Sequence, residues 1–180
     1  MLRNASLLTL VVILAISHPH AQKPAPIPQR EFTAEDDAVH HPGRLPDSAF
    51  NALAHDKASK IDGGDGSLVT PARDWYSAEK LRPPAPNIEL YMVMARAPLT
   101  GANVDTFWLV QNNTRTQRAT ILWTMPTHSV SLRYTSDSGY PEINTVGMSS
   151  VHVWESTFRY RGKYVLARAE DYDIGSRGHH

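Results

Sequence analysis

The chain of 180 residues contains no cysteine, and its formal net charge is zero, because 18 Lys and Arg residues face 18 Asp and Glu residues. The lack of cysteine excludes a disulfide-stapled scaffold, a thiolate zinc site and a cysteine nucleophile. The lack of net positive charge argues against a protein that binds nucleic acid. With 41% apolar and 20% charged residues, the composition is that of a globular protein of one domain.

The common catalytic and nucleotide-binding motifs are also missing: the chain has no Gly-x-Ser-x-Gly, Gly-x-Gly-x-x-Gly, phosphate loop or His-Glu-x-x-His. His128, His152 and Glu155 are the only group that we nominate for the alternative of a small secreted hydrolase or metal-dependent enzyme. Positions 152 and 155 are three apart on a predicted strand and point to opposite faces, which argues against this pair and favours a satisfied or solvent-facing histidine. We therefore predict no metal, no cofactor and no catalytic residue, and the balance favours a protein that is not an enzyme.

Residues 1–21 carry one basic residue, Arg3, and an apolar run from Leu7 to Ile16, followed by a polar stretch that ends at Ala21. This order is typical of a secretory signal peptide. The apolar run is about half of the ~20 residues that a membrane-spanning helix requires, so an uncleaved anchor is the minor alternative. We expect cleavage near Ala21, a periplasmic or secreted protein, and no membrane span in its mature form.

Two stretches of different character precede the predicted core. Residues 22–46 are rich in proline and poor in apolar side chains, which predicts a disordered tether. Residues 47–86 carry two short helical patterns and a linker: one pattern begins at Asp47, and the other runs from Pro71 to Leu81.

From residue 87 onward the apolar residues alternate with a period of two, as in Ile88, Leu90 and Met92, and this alternation predicts strands. Because short turns join the runs, the strands are expected to be antiparallel. Residues 87–174 are therefore the predicted β core, in one domain with residues 47–86, and residues 175–180 are a flexible end. The predicted fold class is α+β, mainly β, with one antiparallel sheet of six or seven strands and one or two short helices.

The last predicted hairpin turns at Arg161-Gly162, where glycine supplies the positive φ that a two-residue turn needs. Counting outward from this turn pairs Tyr160 with Lys163, Phe158 with Val165, Ser156 with Ala167, Trp154 with Ala169, Arg159 with Tyr164, Thr157 with Leu166, and Glu155 with Arg168. Opposite charges then face one another across the hairpin.

Two loops carry residues that also occur in functional sites. The segment from Asp62 to Ser67 contains two carboxylates and three glycines but lacks the glutamate that completes an EF-hand calcium loop, so it is interpreted as a turn that ends a helix. Asn112-Asn113-Thr114 is a glycosylation sequon on a predicted turn.

Gly139-Tyr140-Pro141-Glu142-Ile143 and the later run from Phe158 to Val165 resemble a module of small exported bacterial β-rich proteins, most of them of unknown function. In that module a Gly-aromatic-Pro-Asp-aliphatic segment precedes an aromatic-x-x-Gly-Lys-x-Tyr hairpin. Here glutamate replaces the aspartate, and Tyr164 follows Lys163 directly. The resemblance implies an exported β-rich fold and no particular reaction, and no functional residue is carried over from it.

Aromatic side chains beyond the needs of the core are candidates for a binding face, although each is also a candidate for the core itself. The signal peptide, the tether, a compact sheet and the missing catalytic motifs together favour an exported, non-enzymatic binding protein. It would be inhibitor-like or immunity-like and would recognise a protein or a cell-envelope component; the sequence makes no prediction of its oligomeric state. The candidate ligand- or partner-binding residues are Tyr91, Trp108, Tyr134, Tyr140 and Trp154.

Overall fold

The computed structural model of the protein describes residues 30–101, 104–134 and 139–174. Short 3₁₀ turns lie at Lys57–Ser59 and Arg73–Trp75. The predicted leader, residues 1–21, and the predicted flexible end, residues 175–180, lie outside the described ranges. The elements in chain order are β1 (Arg30–Thr33), α1 (Asp47–Ala54), β2 (Ile61–Asp62), β3 (Leu68–Val69), β4 (Tyr76–Leu81), β5 (Ile88–Ala95), β6 (Asp105–Asn113), β7 (Arg118–Thr127), β8 (Ser129–Tyr134), β9 (Pro141–Met148), β10 (His152–Tyr160) and β11 (Tyr164–Asp173).

The strands form two large antiparallel sheets, one of four strands in the order β4-β5-β6-β7 and one of five in the order β1-β8-β9-β10-β11, while β2 and β3 form a separate hairpin. The prediction of a mainly β, antiparallel fold with a short helix is confirmed. The prediction of a single sheet of six or seven strands is wrong. The chain changes sheet at His128, between Thr127, which pairs with Asp105, and Ser129, which pairs with Val146.

The main core lies between the two sheets. Alternation along β5 directs Leu90, Met92 and Met94 into this layer, where all three are fully or almost fully buried. Trp123 of the four-stranded sheet meets Phe158 of the five-stranded sheet edge to face, with 5.8 Å between ring centroids. The two sheets thus bury one face each against the other, as in a β-sandwich.

A second core lies on the other side of the four-stranded sheet, where α1 packs. Ala49 and Leu53 of α1 are fully buried against a surface that includes Val93 and Trp108. Because this sheet is covered on both sides, β5 is apolar on both faces rather than on one. Among the described residues, no helix combines the length and the hydrophobicity that a membrane span requires.

The prediction of a disordered tether is wrong for residues 30–46; residues 22–29 lie outside the described ranges. Strand β1 pairs with β8, and the buried Phe32 side chain enters the main core. Further along, the Val39 amide donates to Ser77 Oγ (3.1 Å) and the Gly43 amide donates to the Ala78 carbonyl (2.8 Å). The burial of Phe32 and Val39, together with these hydrogen bonds, holds the segment against both sheets.

The helical pattern from Pro71 to Leu81 is also a wrong prediction, because the chain makes only a 3₁₀ turn there before entering β4. Both faces of β4 are buried: Tyr76 and Ala78 contact the layer of α1, and Leu81 reaches the main core. The first predicted helix is confirmed as α1. The glycine-rich segment after it joins β2 to β3 and does not end the helix.

The predicted register of the β10–β11 hairpin is wrong by one residue near the turn. The loop has three residues, Arg161 to Lys163, so that Tyr160 pairs with Tyr164 and Phe158 pairs with Leu166. A bulge beside Thr157 shifts the pairing once more, which places Trp154 opposite Asp171, Glu155 opposite Glu170, and Arg168 opposite Thr157. Gly162 does adopt the positive φ (77°) that the turn was expected to need. The longer loop lets the Tyr164 ring contact Tyr160, and the Tyr164 hydroxyl donates a hydrogen bond to the Pro141 carbonyl at 2.8 Å.

Candidate functional site

Two of the five candidate aromatic residues lie under α1. Trp108 is fully buried, and its Nε1 donates to Asp56 Oδ1 at 3.2 Å. Tyr91 is almost fully buried and donates its hydroxyl to Glu89 Oε2 at 3.0 Å. Burial and the neighbouring Glu89 carboxylate raise the pKa of Tyr91. The prediction that Tyr91 and Trp108 belong to an exposed binding face is therefore wrong, since both stabilise the packing of α1.

The other three candidates lie on the five-stranded sheet or at its end. Tyr134 is buried, while the half-buried Tyr140 stacks on Tyr160 with 3.9 Å between ring centroids and donates to Gln111 Oε1 at 2.5 Å. Burial raises the pKa of Tyr134, and burial beside Tyr160 raises the pKa of Tyr140 to about 12. Trp154, with 37% of its surface exposed, is the candidate that remains accessible.

The three residues of the enzyme alternative do not share one site. His152 and Glu155 lie on opposite faces of β10, because they are three positions apart on a strand that pairs regularly with β9. Glu155 accepts a hydrogen bond from the Tyr172 hydroxyl at 2.6 Å. His128 is at the junction of β7 and β8, where its Nε2 lies 3.7 Å from Glu35 Oε1. Among the described residues, no group of three His, Cys, Asp or Glu side chains is arranged to hold a metal ion.

His152 instead bridges two carboxylates of β11. Its Nε2 lies 2.5 Å from Asp171 Oδ1, and its Nδ1 lies 2.8 Å from Asp173 Oδ1. Hydrogen bonds with both carboxylates raise the pKa of His152 above its usual value, and the bond with Asp171 has the larger effect. The imidazole thus joins β10 to β11 and is best suited to carry the positive charge between the two carboxylates.

A cleft of about 510 Å³ opens at the end of the five-stranded sheet where β1 and β9 end and β8 begins. It lies on the face of this sheet that points away from the main core. Pairing along Thr33, Ser129 and Val146 places these three residues in one row on that face. The cleft holds three carboxylates and two imidazoles. Each imidazole contacts one carboxylate: His40 Nε2 lies 3.4 Å from Asp36 Oδ2, and His128 lies beside Glu35. The lining residues are Glu31, Thr33, Glu35, Asp36, His40, His128, Ser129, Val146 and Met148.

Apolar side chains that are exposed or half-buried lie beside this cleft and form what we call the apolar patch. Met148 belongs to both features and pairs with Val153, which in turn pairs with Tyr172. The turn after β9 adds Val151, whose carbonyl accepts the Ile174 amide at 3.0 Å. Val151 and Ile174 are 65% and 52% exposed, and Met148 is 39% exposed. The apolar patch consists of Val146, Met148, Val151, Val153, Tyr172 and Ile174.

Acidic side chains flank the apolar patch on two sides. Glu155 and Glu170 pair across β10 and β11 in the row next to Val153. On the cleft side lie the carboxylates of Glu31, Glu35 and Asp36. Arg168 is the nearest base on β11, and its guanidinium is bound to Glu170. The surface around the apolar patch is therefore acidic, although the whole chain has no net charge.

The glycosylation sequon and the glycine-rich loop both have structural roles. Asn112 is buried, accepts from the Ser48 hydroxyl at 2.8 Å and donates to Glu89 at 3.0 Å, so that its amide is not accessible for modification in the folded protein. In the glycine-rich loop, the Asp62 carboxylate accepts a hydrogen bond from the Gly64 amide, and the Asp65 carboxylate accepts one from the Ser67 amide. Both hydrogen bonds lie within a tight turn.

Sequence reasoning missed most of the residues around the cleft and the apolar patch. The signal that was present is the pair of apolar residues, Met148 and Val151, that flank the polar Ser149-Ser150 turn. An apolar side chain beside an exposed turn gains little stability from burial when the chain folds, so its presence there indicates a surface that binds another molecule. Glu35 and Asp36 belong to the segment that the sequence predicts to be a tether, and nothing in the sequence connects them with β9.

Comparison with known protein families, with characterised proteins and with solved structures finds no match for this chain.

Proposed function

We propose that the protein is an exported, non-enzymatic binding protein that recognises a protein partner through the apolar patch. It would act like a small inhibitor or immunity protein, by occupying a surface of its partner rather than by transforming a substrate.

The observation that carries this proposal is the exposure of the apolar patch. The two faces of the four-stranded sheet are buried by α1 and by the five-stranded sheet. In contrast, Met148, Val151 and Ile174 leave large parts of their side chains in water at one end of the five-stranded sheet. Clustered exposed apolar residues with a polar rim are typical of protein-binding sites.

Two further observations favour binding over hydrolysis. The nominated residues His152 and Glu155 point to opposite faces of β10, so they cannot act on one substrate atom. The cleft at His128 is open to solvent, and Glu35, the carboxylate beside that imidazole, has a side chain that is 78% exposed.

The experiment compares the partners captured by the purified mature chain with those captured by the Val151→Ser and Ile174→Ser double variant. Both replaced side chains are mostly exposed, so that the variant should fold as the native chain does. The proposal expects a stoichiometric protein partner from an envelope extract of the producing organism that the double variant no longer retains.

Leu68→Ser provides the matched control, because Leu68 is 60% exposed and lies in the separate β2–β3 hairpin. This variant should capture the partner as the native chain does. Equal capture by the native chain and the double variant, or turnover of an ester or glycan substrate by the pure native chain, would overturn the proposal.

A further inference from the structure

The apolar patch and the acidic cleft are one continuous surface. Val146 and Met148 line the cleft and at the same time belong to the patch. Successive strands in a sheet are ~4.8 Å apart, so the path from β1 across β8, β9 and β10 to β11 spans about 19 Å. An extended peptide covers this distance with about six residues.

The charges on this surface select the kind of peptide. Glu31, Glu35 and Asp36 lie on the cleft side, and Glu155 and Glu170 border the patch on the other side. The bases beside them are His40 and His128 in the cleft and Arg168, which is already bound to Glu170. An anionic partner would meet like charges on both sides, whereas a cationic one would meet complementary charges.

We propose that the occupant of this surface is an extended segment of the partner protein in which a lysine or arginine enters the cleft and an apolar residue lies on the patch. This inference rests on the proposed function and adds the chemistry of the partner. The cleft, at about 510 Å³, has room for a long basic side chain, and Glu35 and Asp36 provide carboxylate acceptors for its charged end. Val151 and Ile174 supply the apolar contact area.

The test uses three synthetic hexapeptides that alternate leucine with lysine, with glutamate or with serine, titrated into the isotopically labelled full chain. We expect the lysine peptide to shift the backbone amide resonances of Val146, Met148, Val151 and Ile174. Its affinity should exceed that of the serine peptide and fall as the salt concentration rises. The glutamate peptide should give no saturable shifts. Equal binding of the three peptides, or shifts confined to other surfaces, would overturn the inference.

A variant pair separates the charge of the surface from its apolar contact. Glu35→Gln with Asp36→Asn should weaken lysine-peptide binding roughly three- to tenfold, while Asp74→Asn, an exposed acid in the 3₁₀ turn before β4, should leave it unchanged. If the captured partner depends on Val151 and Ile174 but binding is insensitive to Glu35 and Asp36, then the proposed function survives and this inference fails. If no partner depends on Val151 and Ile174, the proposed function itself fails, and this inference fails with it.

Discussion

The Trp154 indole lies directly over Gly147 of the neighbouring strand, so close that a Cβ at position 147 would be 1.9 Å from the indole Nε1. No real side chain fits in that space. Trp154 therefore lies flat on β9 because position 147 has no side chain, although 37% of its surface still faces water.

Gly147→Ala should displace this indole and lower the free energy of unfolding by about 1–3 kcal/mol, because the new methyl group and the ring cannot occupy the same space. The measurement is urea denaturation together with the tryptophan emission spectrum, which should shift to the red. In a Trp154→Ala background the same glycine substitution should have almost no effect. Equal losses of stability in both backgrounds would contradict the contact.

Leu53→Ala should destabilise the protein by about 2–5 kcal/mol, since Leu53 is fully buried between α1 and the four-stranded sheet. Leu68→Ala removes the same atoms from an exposed position and should change the stability by less than about 0.5 kcal/mol. Thermal or urea unfolding of the two variants measures the difference. Similar losses in both would mean that α1 does not pack on the sheet.

Arg30→Ala should cost about 1–2 kcal/mol, because it removes the guanidinium that lies 2.6 Å from the buried Glu79 carboxylate and joins β1 to β4. We expect the lower part of the usual range for charged hydrogen bonds, since the Arg30 side chain is 44% exposed to solvent. Arg44→Ala is the control: Arg44 is 3.8 Å from Asp47 and highly exposed, so its loss should have little effect. A chain whose residues 30–46 do not fold onto the sheets would respond equally to both changes.

The protonation of His152 should depend on the two carboxylates of β11. Its pKa is raised in the folded state, so the stabilisation from the charged imidazole is fully present below the unfolded value of about 6.5 and is lost as the pH rises through the folded-state value. Asp171→Asn with Asp173→Asn should lower the NMR titration midpoint of His152 and make the stability less dependent on pH in that window. An unchanged midpoint would show that the imidazole does not bridge the two side chains.

Both faces of β5 and of β4 are buried, and of these two strands only β5 was predictable from the sequence. The run that begins at Ile88 is strand β5, as the alternation indicated. The helical spacing of Trp75, Ala78 and Leu81 predicts a helix where the chain forms strand β4. In the structure α1 buries one face of this strand and the main core buries the other. The burial of a second face comes from tertiary packing, which local spacing does not encode.

The candidate site was less predictable than the fold, because its parts are far apart in the sequence. Glu35 and Met148 line the same cleft only because β1 adds to the edge of a sheet formed by strands a hundred residues later. Residue type alone nominates the aromatic candidates for a binding face, and two of them, Tyr91 and Trp108, are instead buried under α1. Residue type indicates which side chains gain from burial, but not which of them remain without a partner.

Site-specific photo-crosslinking in the organism that produces the protein is the decisive test of the proposed partner surface. A photoreactive amino acid at Val151, in the apolar patch, should give one dominant adduct with another protein, and the same amino acid at Leu68 should give none. No adduct from position 151, or the same adducts from both positions, would contradict the claim that the apolar patch is where this protein meets its partner.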